Sequence, residues 1–249
     1  MTIKAAVILA AGMGTRLKEL GQLQPKGFLK LGEKTIIEES INRLSQSGIE
    51  RIIIVTGHLS EFYEKFQEWH SPEIIAVRNP KYANSGSMYS LYCARELIDD
   101  NFLLLESDLI YEQRALETVL NFPEDNVILL SGPTDAGDEV YVATSGKTIV
   151  AMSKDKSKLS SPVAGELVGI SKISQPLFQI MLERAKIKFA KSLKVDYETD
   201  ALVDSAQSYP VYYTVVEDLL WSEIDDRQHL ARAKEKIYPA IQELRNPVS

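Results

Sequence analysis

The residues that decide the fold are Leu9-Ala10-Ala11-Gly12-Met13-Gly14-Thr15-Arg16-Leu17, followed by Pro25-Lys26. They come after an apolar run, residues 5–9, that is typical of a buried β-strand. Glycine lets a backbone approach a ligand closely and adopt positive φ, so a strand that ends in such a loop can offer several N–H groups to a polyphosphate. Arg16 and Lys26 would supply the positive charge that this anion needs.

A tight turn between a strand and a helix is the simpler interpretation of a lone Gly-x-Gly. The ordered combination of small residues, two glycines, an arginine and a Pro-Lys pair favours phosphate binding instead. The loop is not a Walker A motif, because no Gly-Lys-Ser/Thr follows, and it lacks the third glycine of the dinucleotide-binding fingerprint.

Composition limits the classes of protein that remain. The 249 residues suit one α/β domain, and a net charge of −7 without a long basic run argues against nucleic-acid binding. The single cysteine, Cys93, rules out an intrachain disulfide and fits a reducing cytoplasm. No apolar run approaches the roughly 20 residues of a membrane span, and no signal peptide is expected. The three histidines lack metal-ligand spacing, so a zinc site is not expected.

Short apolar runs alternate with helical patterns over the first half of the chain. Strands are predicted at 3–9, 51–56, 73–77, 101–106 and 126–130, and helices at 35–48, 61–69, 87–97 and 112–120. This alternation predicts an α/β, Rossmann-like fold with a mostly parallel sheet flanked by helices. Because ligands bind at the carboxyl ends of such strands, the glycine loop and the acidic Glu106-Ser107-Asp108 are expected to meet at one edge.

The pattern changes after residue 138. A hairpin is predicted at 139–152, a strand at 163–173, helices at 176–188 and 196–205, strands at 211–215 and 221–224, and a long amphipathic helix at 226–244. No linker or repeat separates these parts. We therefore predict a single domain, 1–249, with a small β-rich insert at roughly 138–215.

The segment LAAGMGTRLKELGQLQPKGFLKLGEKTIIE resembles the signature L-x-A-G-x-G-T-R-L, a spacer, then P-K, of the nucleotidyltransferase superfamily of sugar-phosphate and choline-phosphate type. This resemblance covers the first forty residues. It implies the corresponding fold and a reaction in which a phosphate or phosphonate attacks the α-phosphorus of an NTP and pyrophosphate leaves. It also implies that residues 9–15 hold the triphosphate, while Arg16 and Lys26 act as catalytic cations that neutralise the transferred and leaving phosphates.

The same resemblance assigns a metal site. Asp108 ends the apolar run FLLLES, where a turn or N-cap aspartate is the alternative reading. In the superfamily this strand carries the metal-binding aspartate, and Asp225 in WSEIDDRQHL resembles the second one. Two carboxylates plus phosphate oxygens suit Mg²⁺. Asp226 is expected to cap the last helix instead.

The run from Asn79 to Leu91 resembles the N-P-x-Y…N-x-x-S-L segment of choline-phosphate and phosphonate cytidylyltransferases, although a polar turn before a helix would look similar. By this resemblance Ser85, Gly86 and Ser87 would read the Watson–Crick edge of cytosine. The residues 105–112, LESDLIYE, look most like the 2-aminoethylphosphonate branch.

Acceptor residues are expected on the insert side. The family commonly places an acceptor-phosphate lysine after the strand that precedes Lys154, although a solvated lysine is the default reading. The segment with Tyr197, Glu198 and Asp200 resembles the one that meets the acceptor's amine in choline-type relatives, and it supplies the carboxylates and aromatic face that an ammonium group needs. Exposed helix acids are the alternative.

The leading hypothesis is a Mg²⁺-dependent cytidylyltransferase that joins CTP to a small amine-bearing phosphonate or phosphate, 2-aminoethylphosphonate first and phosphocholine second. One alternative is a sugar-1-phosphate nucleotidyltransferase that uses UTP, dTTP or GTP. Another is a non-catalytic nucleotide-binding regulatory protein, which the intact signature disfavours. Neither nucleic acid nor a membrane is an expected partner, and a homodimer is compatible with the sequence.

Overall fold

The computed structural model describes residues 3–68 and 70–245. Within these residues the strands are β1 (Ala5–Ala10), β2 (Arg51–Thr56), β3 (Glu73–Arg78), β4 (Phe102–Glu106), β5 (Leu109–Tyr111), β6 (Val127–Ser131), β7 (Tyr141–Ser145), β8 (Thr148–Ser153), β9 (Val163–Ile173), β10 (Tyr212–Val216) and β11 (Trp221–Glu223). The helices are α1 (Glu19–Leu23), α2 (Ile36–Gln46), α3 (Glu61–Glu64), α4 (Ser87–Cys93), α5 (Arg114–Asn121), α6 (Gln175–Phe189), α7 (Val203–Ala206), α8 (Arg227–Arg232) and α9 (Tyr238–Arg245). The predicted α/β architecture is confirmed.

The large sheet is mixed rather than mostly parallel. Its described strands run in the order β3-β2-β1-β4-β9-β6-β10-β8-β7. The pairs β3–β2, β2–β1, β1–β4 and β6–β10 are parallel, whereas β9 runs antiparallel to both β4 and β6. The β7–β8 hairpin reverses the direction of the chain, and β9 keeps the direction of β8, because both pair antiparallel with β7.

The predicted insert is partly integral to this sheet, since β9 lies between β4 and β6 at its centre. The hairpin β7–β8 also joins the same sheet through β9 and β10. The single-domain organisation of residues 1–249 stays a prediction.

Two apolar cores cover the faces of the sheet, and β1 contributes to both. Its alternate residues point to opposite sides: Ala6 and Ile8 join the core under α2, α3 and α5, and Val7 and Leu9 join the core under α4 and α6. A strand buried on both faces reads as a continuous apolar run, which is why β1, β2 and β4 are predictable from sequence.

Local signals set the bounds of the helices. α2 begins with the predicted capping box, in which Thr35 Oγ1 accepts from the Glu38 N–H and the Glu38 carboxylate accepts from the Thr35 N–H. Gly48 follows its last turn at φ +80°, a conformation that favours glycine. The helix predicted at 61–69 is observed as α3 and a 3₁₀ turn, Lys65–Glu68; Trp69 lies outside the described residues.

The C-terminal residues form the predicted long helical stretch, in which α8, a π-helical segment (Ala233–Ile237) and α9 follow one another. Its apolar side packs Ala233 and Ile241 against Leu17 and Leu29, next to the glycine loop. Within residues 3–68 and 70–245, no helix combines the length and the apolar character needed to cross a membrane.

A close approach behind the glycine loop supplies a first test. A Cβ added at Gly21 would lie 2.2 Å from the carbonyl oxygen of Gly14, whereas a Cβ at Gly12 would meet nothing within 4 Å. Gly21→Ala should therefore lower the free energy of unfolding by roughly 1–3 kcal/mol, because backbone must move. Urea titration measures this, with Gly12→Ala as the matched control. Equal stability of the two variants would contradict the packing described.

Candidate active site

A cleft of about 580 Å³ opens at the carboxyl ends of β1, β4 and β8. The glycine loop forms one wall with Leu9, Ala10, Ala11 and Gly12, as the sequence predicts. The segment after β3, the acidic turn after β4 and the end of β11 close the other sides. This is the size and the topological position at which open α/β sheets bind small ligands.

The short sheet β5–β11 brings the two predicted metal aspartates together. Leu109 pairs with Glu223, and the Ile224 N–H donates to the Asp108 carbonyl oxygen at 3.1 Å. The side chains of Asp108 and Asp225, 117 positions apart, therefore enter the same cleft. Both are buried, at 8% and 1% exposure.

Lys26 lies between these aspartates. Its Nζ donates to Asp108 Oδ2 at 2.6 Å and also to Asp225 Oδ1. Burial opposes the charge on Lys26, but the two carboxylates outweigh burial and raise the pKa of the lysine. The structure thus joins Lys26, Asp108 and Asp225 in one ionic group.

Arg16 completes the charged end of the cleft. Its guanidinium lies 2.7 Å from Asp225 Oδ2 and 3.4 Å from Asp138 Oδ2. Burial opposes ionisation of Asp225, but the hydrogen bond with Asp138 and the charges of Lys26 and Arg16 hold its pKa well below the usual range. Arg16 itself is 55% exposed, so its guanidinium remains accessible to a ligand in the cleft.

The rest of the glycine loop supports the cleft from behind. Gly14, at φ +61°, accepts a hydrogen bond from the Leu17 N–H at 3.0 Å and closes the turn that carries Arg16. Met13, Gly14 and Thr15 are not among the residues that line the cleft, and their contact with nucleotide stays a prediction.

Ser85, Gly86 and Ser87 line the wall on the β3 side, where the sequence predicts base recognition. Gly86 passes so close to Val195 that an added Cβ would lie 2.4 Å from its carbonyl oxygen. The Ser87 hydroxyl is already engaged, because it accepts from the Tyr197 N–H at 2.8 Å and donates to Glu198 at 3.3 Å. The Ser85 hydroxyl accepts one hydrogen bond, from Asn79 Nδ2 at 3.0 Å, and therefore keeps its own hydrogen for a ligand.

A smaller cavity of about 70 Å³ adjoins the cleft on the insert side. Lys154 lies on the border and lines both spaces, as do three carboxylates, Glu106, Glu198 and Glu223. Leu109, Trp221 and Glu166 complete part of its wall. We refer to this space as the acidic side cavity.

The predicted acceptor residues differ in where the structure puts them. Lys154 and Glu198 face the acidic side cavity, and Tyr197 lies buried behind it, with its hydroxyl donating to Glu106 at 3.0 Å. Asp200 lines neither space. Its carboxylate pairs with Lys188 at 3.2 Å and accepts from the Asp196 N–H at 3.0 Å, so its role there is to hold the turn against α6.

Three of the carboxyl groups that line the acidic side cavity have raised pKa values. Burial, with Glu198 and Asp108 nearby, raises the pKa of Glu106 to about 8. Burial and the neighbouring Asp108 and Glu106 raise the pKa of Glu223 to about 10. For Glu198 burial dominates and Asp196 adds to it, which raises its pKa to about 7. A cation that entered this cavity would favour the ionised carboxylates.

The donor set fits a hard divalent cation. Two groups of side chains have ligand atoms within 4.8 Å of one another: Glu106, Asp108 and Glu223, and Asp138, Asp225 and His229. Each contains one predicted metal aspartate, and Lys26 already shows that a cation is held between them. Carboxylate oxygens are the ligands that Mg²⁺ takes in proteins.

Sequence reasoning missed three acids of this site. Glu106 and Glu223 end buried strands directly beside predicted metal ligands, and a carboxylate in that position was the available signal. Asp138 reaches Arg16 across the loop before β7, a contact that no local pattern reveals. Asp226 was predicted correctly, since Oδ1 accepts from the Gln228 and His229 N–H groups and caps α8.

Comparison with known proteins places the fold and the cleft in a family. The chain belongs to the family of MobA-like NTP transferase domains, which matches residues 6–135, just over half of its length. It is 27% identical over 232 residues to the CMP-5'-(3-aminopropyl)phosphonate synthase of Streptomyces rubellomurinus, covering 89% of this chain and 37% of that protein. It is 34% identical over 107 residues to the choline-phosphate cytidylyltransferase of Streptococcus pneumoniae, covering 43% of this chain and 46% of that protein.

The chain spans less than half of the length of these two relatives. Among solved structures, the inositol-1-phosphate CTP transferase from T. maritima is similar with a TM-score of 0.78 at 20% identity, and the match covers 100% of this chain and 99% of that one. At this identity the likeness shows the fold, and it confirms the nucleotidyltransferase architecture that the glycine loop predicts.

The raised pKa of Glu198 gives a pH test of the site. Between its ordinary value of 4.5 and about 7 the folded state holds a proton that the unfolded state has released, so stability falls as pH rises through this window. Relative to Glu198→Gln, the free energy of unfolding of the wild type should fall by roughly 3 kcal/mol between pH 4.5 and 7.5, and above this range the two curves should run parallel. Urea titrations without metal or nucleotide measure this, with exposed Glu235→Gln as the matched control. A difference that is constant with pH would contradict the burial of this carboxyl.

Proposed function

We propose that the chain is a Mg²⁺-dependent cytidylyltransferase that transfers CMP from CTP to a small amine-bearing phosphonate or phosphate and releases pyrophosphate. The observation that carries this proposal is the ionic group of Lys26, Asp108 and Asp225 at one end of an amide-lined cleft. It combines a site for a divalent cation with cations for phosphate, and a carboxylate-lined cavity adjoins it.

The chain's own groups would do the work by positioning and by neutralising charge. Ala11 and Gly12 line the cleft, and their backbone N–H groups would hold the triphosphate, with Arg16 on its exposed side. Lys26 would stabilise negative charge on the transferred and leaving phosphates. The acceptor oxygen forms the new bond to the α-phosphorus as the bond to the pyrophosphate oxygen breaks. The attacking oxygen of the acceptor is already anionic at neutral pH, so no side chain has to remove a proton from it.

The metal completes the charge balance of the site. Asp108 and Asp225 would hold Mg²⁺, and Lys26 would move from between them toward the phosphates. When bound, the ion would polarise the α-phosphate and screen the leaving charge. Glu106 and Glu223 are close enough to Asp108 to complete the ligand shell or to orient it.

The acidic side cavity supports an acceptor that carries an ammonium group. Lys154 at its border would take the acceptor's phosphonate, and Glu106, Glu198 and the face of Trp221 would surround the cation. Asp200 is not part of this proposed set, because Lys188 occupies its carboxylate. The named activities of the two relatives, on an aminopropylphosphonate and on choline phosphate, point to the same acceptor class.

Among acceptors, 2-aminoethylphosphonate fits first and phosphocholine second, because the cavity is narrow. A sugar 1-phosphate acceptor with UTP, dTTP or GTP is the alternative within the family. The hydroxyl groups of a sugar would bring no cation to Glu106, Glu198 and Glu223 in the acidic side cavity. A catalytically silent nucleotide-binding protein is not favoured, since Arg16, Lys26 and both aspartates are in place. A cytoplasmic location and a homodimer complete the proposal.

Substitution of the metal aspartates tests the mechanism. Asp108→Asn and Asp225→Asn should each lower Mg²⁺-dependent pyrophosphate release by roughly 100-fold or more, because each removes a charged ligand. Asp218→Asn is the matched control, since its side chain is 80% exposed. A coupled pyrophosphate assay with a Mg²⁺ titration measures this, and circular dichroism checks folding. Full Mg²⁺-dependent turnover by Asp108→Asn would exclude the assigned metal site.

A substrate matrix tests the acceptor class. Four NTPs are combined with 2-aminoethylphosphonate, phosphocholine and glucose 1-phosphate, and pyrophosphate release is recorded. We expect turnover with CTP and an amine-bearing acceptor, and a loss of at least about tenfold in kcat/KM for that acceptor in Glu198→Gln. Turnover confined to glucose 1-phosphate would overturn the acceptor assignment.

A further inference from the structure

Asn79 lies buried behind the wall of the cleft on the β3 side. It follows β3, is 0% exposed, and its backbone N–H donates to the Thr56 carbonyl oxygen at 2.8 Å. Its side chain contacts Ser85 and Ser90, and both serines line the cleft. None of the steps proposed above uses this side chain.

The orientation of the Asn79 amide is fixed by its neighbours. The Lys81 backbone N–H lies 2.8 Å from one amide atom, and because a backbone N–H only donates, that atom is the oxygen Oδ1. The nitrogen Nδ2 therefore faces the serines and donates to each Oγ at 3.0 Å. Both hydroxyls accept from Asn79, so each keeps its own hydrogen for another partner.

No acceptor for these two hydrogens lies among the described residues. Because Ser85 and Ser90 both line the cleft, the free acceptor position for each lies on the ligand side. The β3 wall thus presents two neighbouring O–H donors whose direction a buried amide sets.

The cleft has a charged end and a neutral end. β4 lies beside β1 on one side, and the ionic group follows β4 and β11. β3 lies two strands from β1 on the other side, about 10 Å away. A nucleoside triphosphate with its phosphates at Arg16 and Lys26 would therefore extend its base toward Ser85 and Ser90.

We propose that Asn79 is a positioning residue that selects the base, by making Ser85 and Ser90 donate into the cleft. Cytosine presents two adjacent acceptors, O2 and N3, to such a pair, whereas uracil presents an N–H at N3 that would meet a donor. A site built to donate rejects a base whose acceptor is missing, since a buried hydrogen-bonding group is left unpaired. This inference rests on the proposed function only for the class of ligand, a nucleoside triphosphate.

Asn79→Asp reverses the donor pattern with little change in shape. The new oxygen would accept from both serine hydroxyls, so their hydrogens turn away from the cleft and their lone pairs face it. That wall would then accept from the N3–H of uracil. Calorimetric titration with CTP and with UTP, both with Mg²⁺, measures the effect without requiring turnover.

We expect the wild type to bind CTP more tightly than UTP. The ratio of the dissociation constant for UTP to that for CTP should fall by at least about tenfold in Asn79→Asp, and the affinity for UTP should rise. Asn84→Asp is the matched control, because Asn84 is exposed on the same segment and should keep the wild-type ratio. If Asn79 had only a structural role, Asn79→Asp would lower the affinities for CTP and UTP equally and leave the ratio of their dissociation constants unchanged.

The double variant Ser85→Ala/Ser90→Ala tests the same inference if Asn79→Asp fails to fold. It removes both donors without placing a new charge in the core, and it should lower CTP affinity at least about tenfold while UTP affinity changes less. Folded variants that keep the wild-type ratio, or a wild type that binds UTP more tightly, would overturn the inference. Selective CTP binding without pyrophosphate release would instead contradict the proposed function and leave base selection supported.

Discussion

The contact of Lys26 with Asp108 and Asp225 is the constraint on which the rest of the site depends. Two carboxylates buried this deeply would repel each other and lose solvation, and the lysine between them offsets both costs. The three residues come from the 3₁₀ turn after α1 (Lys26–Phe28), the turn after β4 and the segment that follows β11. The short β5–β11 sheet therefore holds Asp108 and Asp225 close together, and the C-terminal helices pack beside the chain that carries Lys26. The resulting arrangement of charges is compatible with a metal ion and a polyphosphate.

The acids around the cleft divide into two kinds. Asp108 and Asp225 lie beside Lys26, and Arg16 adds a second cation to Asp225. Among the described residues Glu106, Glu198 and Glu223 form no ion pair, and burial raises their pKa values. One end of the site thus suits phosphate and metal, and the other suits a cationic acceptor group. This separation of charge between the cleft and the acidic side cavity supports the proposal of an amine-bearing acceptor.

Sequence reasoning succeeded where local chemistry decides. The glycine loop, the buried run of β2, the capping box at Thr35 and the cap at Asp226 each depend on neighbours in the chain, and each is observed. It failed where long-range pairing decides. β5 has only three residues, too few for a periodic pattern. β11 is observed where a strand is predicted, but its pairing with β5 and the antiparallel direction of β9 were not predicted. Asp200 was assigned to the acceptor from the resemblance of its segment and from its charge, and this stays a prediction; its contact with Lys188 on α6 is visible only in three dimensions.

A double-mutant cycle tests the central contact most directly. The free energies of unfolding of the wild type, Lys26→Met, Asp225→Asn and the double variant are measured by urea titration in the absence of metal. Because each single substitution breaks the same buried Lys26–Asp225 ion pair, we expect a coupling energy of about 2 kcal/mol or more. Additive effects, with a coupling below about 0.5 kcal/mol, would contradict the ionic group on which the account of this site rests.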